Sequence, residues 1–96
     1  MDFVVAPEAR QDLIEIHNYI SNDNPDAGAR IIDDIFVAFA KLARRPNMGH
    51  LRHDLTTRNV RFWPVHSYLI IYDPNVVPIG IARVLSAYRD ITKLME

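Results

Sequence analysis

Arginines and aromatic residues crowd the C-terminal third of this chain. Arg61, Arg83, Tyr88 and Arg89 stand there, with Trp63, His66 and Tyr68 nearby in sequence. Such side chains suit two tasks. Guanidinium groups grip phosphates while rings stack on bases, or Arg, Tyr and Trp anchor a protein interface. The plain alternative is structural: Arg83 pairs with a carboxylate such as Asp90, and Arg61 merely flanks the core. Other chemistry finds less support. His50 and His53 beside Asp54 offer two imidazoles and a carboxylate, but a third ligand and helical spacing are missing, so no metal site is assigned. Three glycines in the whole chain leave no phosphate-binding loop. Ser21, Ser67 and Ser86 sit in no nucleophile elbow. No catalytic residue and no cofactor is assigned.

The elements that must position these residues follow from the pattern. Arg61–Val65, Tyr68–Tyr72 and Ile79–Leu85 are three short runs rich in β-branched and aromatic residues, split by breaks, as in a β-meander. Charged guanidiniums within two of the runs imply one core face and one partly open face, with Arg61 and Arg83 on the open side. Phe3-Val4-Val5 predicts an edge strand. Pro7 opens a helix in which Ala9, Leu13, Ile16 and Ile20 form the apolar stripe. Asp12 and Glu15 fall off that stripe, and Ile14 points away from it. Asn24 caps and Pro25 starts a second helix running to about Arg44, with Ile32, Ile35, Phe39 and Leu42 on its core face, Phe36 beside them, and Val37 on the opposite side. Gly28 allows close helix approach. The basic segment 50–59 reads as a loop with one extended piece near Asp54-Leu55, and Ile91–Leu94 as a helical stub. The fold class is α+β: an antiparallel helical hairpin on a mainly antiparallel four-stranded sheet, in the order β-α-α-β-β-β. Ninety-six residues make one domain, 1–96.

Net charge is −1, but it is unevenly spread. Residues 1–40 carry eight acidic and two basic residues; residues 41–61 carry six basic residues against Asp54 alone. The basic block is either a solvated loop or a surface for an anionic partner. No apolar run approaches the roughly 20 residues that span a bilayer. With no cysteine and no basic leader, the expectation is a cytoplasmic protein without membrane association.

The runs "PEARQDLIEIHNYI", "RRPNMGHLRHDL", "VRFWPVHSYLIIYD" and "IARVLSAYRDI", in this order and over nearly the whole chain, resemble the RelE/ParE superfamily of bacterial type II toxins. The resemblance implies one of two activities. RelE-like members are ribosome-dependent mRNA endoribonucleases; ParE-like members poison DNA gyrase by binding. The nuclease branch carries an arginine on the strand that here reads Tyr68-Leu69-Ile70, and leucine cannot serve a phosphate. A tyrosine or histidine expected near the C-terminus is Lys93 here, with Tyr88 a few residues earlier. The ending Arg83-Val84-Leu85…Arg89-Asp90-Ile91 is closer to the ParE-like pattern, although Ser86-Ala87 replaces the His-Gly that often follows Val-Leu. The resemblance therefore implies a ParE-like toxin that inhibits gyrase and is neutralised by a ParD-like antitoxin, with the ribosome-dependent endoribonuclease as alternative. Arg61, Arg83, Tyr88 and Arg89 are the candidate target-binding residues. Ile14 and Val37, apolar and off-stripe, are the candidate antitoxin contacts, and the acidic helical half would suit a tail with basic residues. Oligomeric state in the toxin–antitoxin complex stays open.

Overall fold

The computed structural model describes residues 2–95. Its elements run β1 (Phe3–Val5), α1 (Pro7–Ser21), α2 (Pro25–Arg44), β2 (Arg61–Val65), β3 (Tyr68–Asp73), β4 (Ile79–Ser86) and α3 (Ile91–Leu94). Both prolines sit in the first helical turn, and the Asn24 side chain accepts the Ala27 N–H at 3.1 Å, so both helices start where these residue types place them and α2 is capped. The two long helices make a hairpin. A Cβ at Gly28 would overlap the Ser21 hydroxyl, which is the physical reason a glycine stands where the helix ends meet.

The sheet order is β1-β4-β3-β2, with β1 parallel to β4 and the remaining pairs antiparallel. One face packs on the helices through Leu13, Ile16, Ile35, Phe39, Leu42, Ile70, Tyr72, Ile81 and Val84. The expectation of an open second face is corrected. Val60, Phe62, Ile71, Leu85, Ile91 and Met95 form a second apolar cluster, joined by Leu55 and Leu69. Residues 50–60 and α3 lie over that face, because β3 and β4 carry apolar residues on both sides. Nor is the extended piece at Asp54-Leu55. It falls at His50, whose N–H and C=O exchange hydrogen bonds with Phe62 at 2.8 Å, while Asp54 receives a bidentate pair from Arg52.

Tyr72 fixes the turn that leaves α2. The phenol is fully buried. Its hydroxyl donates to the Pro46 carbonyl at 2.7 Å and accepts the Gly49 N–H at 2.8 Å. Any Cβ at Gly49 would run into the phenol oxygen and ring. Burial pushes the Tyr72 pKa up, against a smaller opposing pull from the Gly49 N–H and the Arg61 charge. The neutral phenol is thus the form the fold favours. Its contribution is complete below the unfolded value of about 10 and is lost as pH rises through the higher folded value.

Tyr72→Phe will leave the Gly49 N–H and the Pro46 carbonyl unpaired and lower stability near neutral pH by about 1–3 kcal/mol. In chemical denaturation, the variant will also show a shallower loss of stability above about pH 10 than the parent.

Candidate functional site

A mismatch in strand length creates the first site. β1 pairs with β4 only through Phe3–Ile79, Val4–Gly80 and Val5–Ile81. β4 continues to Ser86, so on that side its backbone has no strand partner. α1 supplies the substitute. The Asp12 carboxylate accepts the Val84 N–H at 3.0 Å and a bidentate pair from Arg83, Nε at 2.8 Å and NH2 at 2.9 Å. Asp12 was expected off the buried stripe, yet it is only 6% exposed. An ionised carboxylate is tolerated there because both oxygens are satisfied. The Asp12 hydrogen bond raises the already high Arg83 pKa, against a smaller desolvation effect.

β4 also carries a bulge, which sets Arg83 opposite Ile71 of the second cluster, so its side chain meets Asp12 past the strand's unpaired edge. Tyr72 pairs with Ile81 and Ile71 with Arg83, leaving Ala82 unmatched. The extra residue shifts the strand's phase, so Ile81 and Val84, three apart, both join the helix-side core. Asp90, the partner that the sequence suggested for Arg83, instead caps α3 by accepting the Lys93 N–H at 3.2 Å.

Beside this pair lies a cleft of about 350 Å³, walled by Glu15, Tyr19, Tyr68, Ser86 and Arg89 as well as Asp12. Desolvation raises the Tyr68 phenol pKa, with a smaller push from nearby Tyr19. Tyr88 and Arg89 leave β4 at the rim, both exposed. Of the four candidate target residues, Arg89 walls this cleft and Arg83 is held beside it by Asp12, while Tyr88, next to Arg89 in the chain, is exposed. Arg61 is elsewhere: its guanidinium donates to the Gly49 carbonyl at 2.8 Å and more weakly to Asn47 at 3.4 Å, bracing the turn that Tyr72 holds. Neither Arg61 nor Arg83 stands on an open sheet face.

A second candidate site is apolar. Between α1 and α2, running to the outer edge of β1, two adjoining grooves of about 570 and 300 Å³ share Arg10, Leu13 and Phe36 in their walls. Ile14, 49% exposed, lines this groove. Val37, 59% exposed, stands outside the lining. Phe36 was placed among core-flanking residues by the sequence. It is 41% exposed, with its ring set edge-on to Phe39 at 5.2 Å. Its position one turn after Ile32, at the margin of the core stripe, is the signal that could have found it. Its ring leans on Phe39 while leaving one side to the groove.

Leu69 settles against the second apolar cluster, opposite Pro64 and Leu85 in the sheet. Leu69 is thus a half-buried hydrocarbon side chain that carries no charge.

Residues 3–91 match the family model described as the ParE toxin of the type II toxin–antitoxin system parDE. The chain belongs to the ParE toxin family. It is the toxin component of a type II toxin–antitoxin system. A solved structure of the chromosomal ParDE toxin–antitoxin system from P. aeruginosa has the same fold, with TM-score 0.73 and 20% identity over 90% of this chain and 95% of that one. No curated protein sequence gives a significant match. Membership bears out the family resemblance and the α+β architecture read from the sequence. The toxin's described helices include none long and apolar enough to cross a membrane.

The Asp12–Arg83 pair makes a stability role separable from a toxic one. Asp12→Ala will destabilise the toxin by about 3 kcal/mol, since it strands the Arg83 charge and the Val84 N–H. Arg83→Ala will also lower the melting temperature, by stranding the buried carboxylate. The double variant will lose clearly less than the sum of the two, measurable as a coupling energy in a denaturation cycle.

Proposed function

We propose that this toxin acts in the cytoplasm by binding DNA gyrase through the corner formed by Tyr88, Arg89 and the Asp12–Arg83 pair, and that an antitoxin neutralises it from the groove along Ile14 and Phe36. The observation that carries the non-cutting mode is Leu69. Metal-free RNA cleavage needs a cation on the pentavalent phosphate and a proton donor for the leaving oxygen. A phosphate brought to Leu69 would meet a half-buried leucine packed against the second apolar cluster, and that side chain has no charge to offer it. Binding, by contrast, asks only for exposed anchors, and Arg and Tyr dominate such anchors when a partner desolvates them.

The groove supports the antitoxin assignment. An amphipathic segment with two or three apolar side chains would cover Leu13, Ile14 and Phe36 and remove their surface from water, at roughly 25 cal/mol per Å². The acidic bias of residues 1–40 suggested a partner with basic residues. The groove's own polar lining is Arg10, His17 and Asn18, so a carboxylate on the partner fits better there. Val37 lies beyond the lining and serves as a peripheral contact.

In a supercoiling assay with purified gyrase, the toxin will stop supercoiling. Tyr88→Ala with Arg89→Ala will weaken this by about tenfold or more, equal to at least 1.4 kcal/mol of binding energy, without changing the melting temperature. Unimpaired gyrase with mRNA cuts on programmed ribosomes would overturn the reading in favour of an endoribonuclease. Ile14→Arg will weaken antitoxin binding by about 2–3 kcal/mol, and Val37→Arg by less. Both will leave gyrase inhibition intact, as titration calorimetry and the same supercoiling assay will show.

A further inference from the structure

At the C-terminal end of α2, three cations and the toxin's sole tryptophan share one surface hollow. Lys41, Arg44, Arg45, Met48 and Trp63 wall a depression of about 510 Å³. Lys41, Arg44 and Arg45 are exposed. None of them takes part in a salt bridge; among the described residues those pairs are Arg52–Asp54, His66–Asp34 and Arg83–Asp12. No acidic residue stands between Asp34 and Asp54 in the sequence.

A plain explanation is that cations at a helix C-terminus answer the helix dipole. That dipole amounts to about half a negative charge. Three positive charges exceed it several-fold, so most of the charge is left for a ligand. The hollow is also held in shape. The carbonyls of Pro46, Asn47 and Gly49, which would repel an anion, are already engaged by Tyr72 and Arg61. Trp63 lies partly buried against the core, with the His50 ring stacked on it at 6.0 Å and 14° between planes. The indole therefore has a fixed orientation and a flat neighbour.

We infer that this hollow is a binding site for single-stranded nucleic acid, in which Lys41, Arg44 and Arg45 hold successive phosphates and one unstacked base lies against Trp63. A carboxylate-rich peptide would satisfy the charges but would have no use for the flat ring pair. Duplex DNA would satisfy the charges but keeps its bases stacked away from the indole. Single strands offer both features, and aromatic stacking adds about 1–3 kcal/mol per base without regard to sequence. The site stands apart from the gyrase and antitoxin readings: neither the Ile14 groove nor the Arg89 corner contributes a residue to it, so its failure or success leaves those untouched.

Because Trp63 is the only tryptophan, its fluorescence reports the site directly. Short oligo-dT or oligo-U added to the purified full-length toxin will quench that emission. The logarithm of affinity will fall with the logarithm of salt concentration with a slope of about −2, as three phosphate contacts on a single strand require. Arg44→Gln with Arg45→Gln will weaken binding about tenfold and bring the slope to about −0.7, whereas Arg30→Gln, at the other end of α2, will change neither. Fluorescence anisotropy of labelled strands gives the same quantities independently of the tryptophan. Absence of quenching at low salt, equal quenching by oligoglutamate or by duplex DNA, or an equal effect of Arg30→Gln would each overturn the inference.

Discussion

A three-residue strand beside an eight-residue one is the constraint from which this toxin's proposed target-binding corner follows. Past Ile81, β4 has no neighbour on the β1 side, and an unpaired backbone N–H near the core costs about as much as a lost hydrogen bond. Asp12 fills the gap with one carboxylate, taking the Val84 N–H and both arms of Arg83. A carboxylate alone in that position would be costly to bury; the Arg83 fork neutralises it. Because β1 stops short, Arg83 can meet α1 past the open β4 edge. Strand length and ion pair are thus one device. It keeps the rest of the β4 edge open beside α1 as a cleft.

Covering both faces of the sheet has a second consequence. The helices take one side, and residues 50–60 with α3 take the other. The second sheet face is largely taken up by packing of Val60, Phe62, Ile71, Leu85 and Ile91. Recognition is left to margins: the groove between the helices, the cleft at the β4 edge, and the cationic hollow at the end of α2. Each has a different chemistry, so each selects a different kind of partner. The first is apolar, the second mixes carboxylates with arginine and tyrosine, and the third is positive with one flat ring.

Periodicity made the fold legible. Pro7 and Pro25 marked both helix starts, Asn24 its cap, and the β-branched runs the meander, because each signal is local. Long-range pairing was not local and escaped. Asp12 looked like a solvent-facing helix residue, since its partner lies 71 positions away. The second apolar cluster was missed for a related reason. Leu55, Val60 and Ile91 are scattered singly through loop-like sequence and gather only when the chain folds back. Ile14 and Val37 were readable as exposed because a helix has one angular period, yet that period could not say that Ile14 borders a groove and Val37 does not. That distinction depends on how Phe36 leans on Phe39. Of the target-face residues, Arg89 and Tyr88 follow directly from chain order at the end of β4, while Arg61 was separated from them by the hydrogen bonds of a turn.

The helix α1 stands between two of these margins. Its Arg10, Leu13, Ile14 and His17 border the apolar groove, and its Asp12, Glu15, Ile16 and Tyr19 border the cleft. An antitoxin segment lying only in the groove would therefore leave Arg89 uncovered on the far side of the helix. An α-helix with its side chains is about 10 Å across, and extended chain advances about 3.3 Å per residue. Passing around α1, about half its circumference, takes only about five further residues. On the proposed reading, neutralisation depends less on affinity within the groove than on whether the antitoxin's chain continues beyond it. A partner cut short at the groove's end would bind tightly and still leave the gyrase-facing corner free.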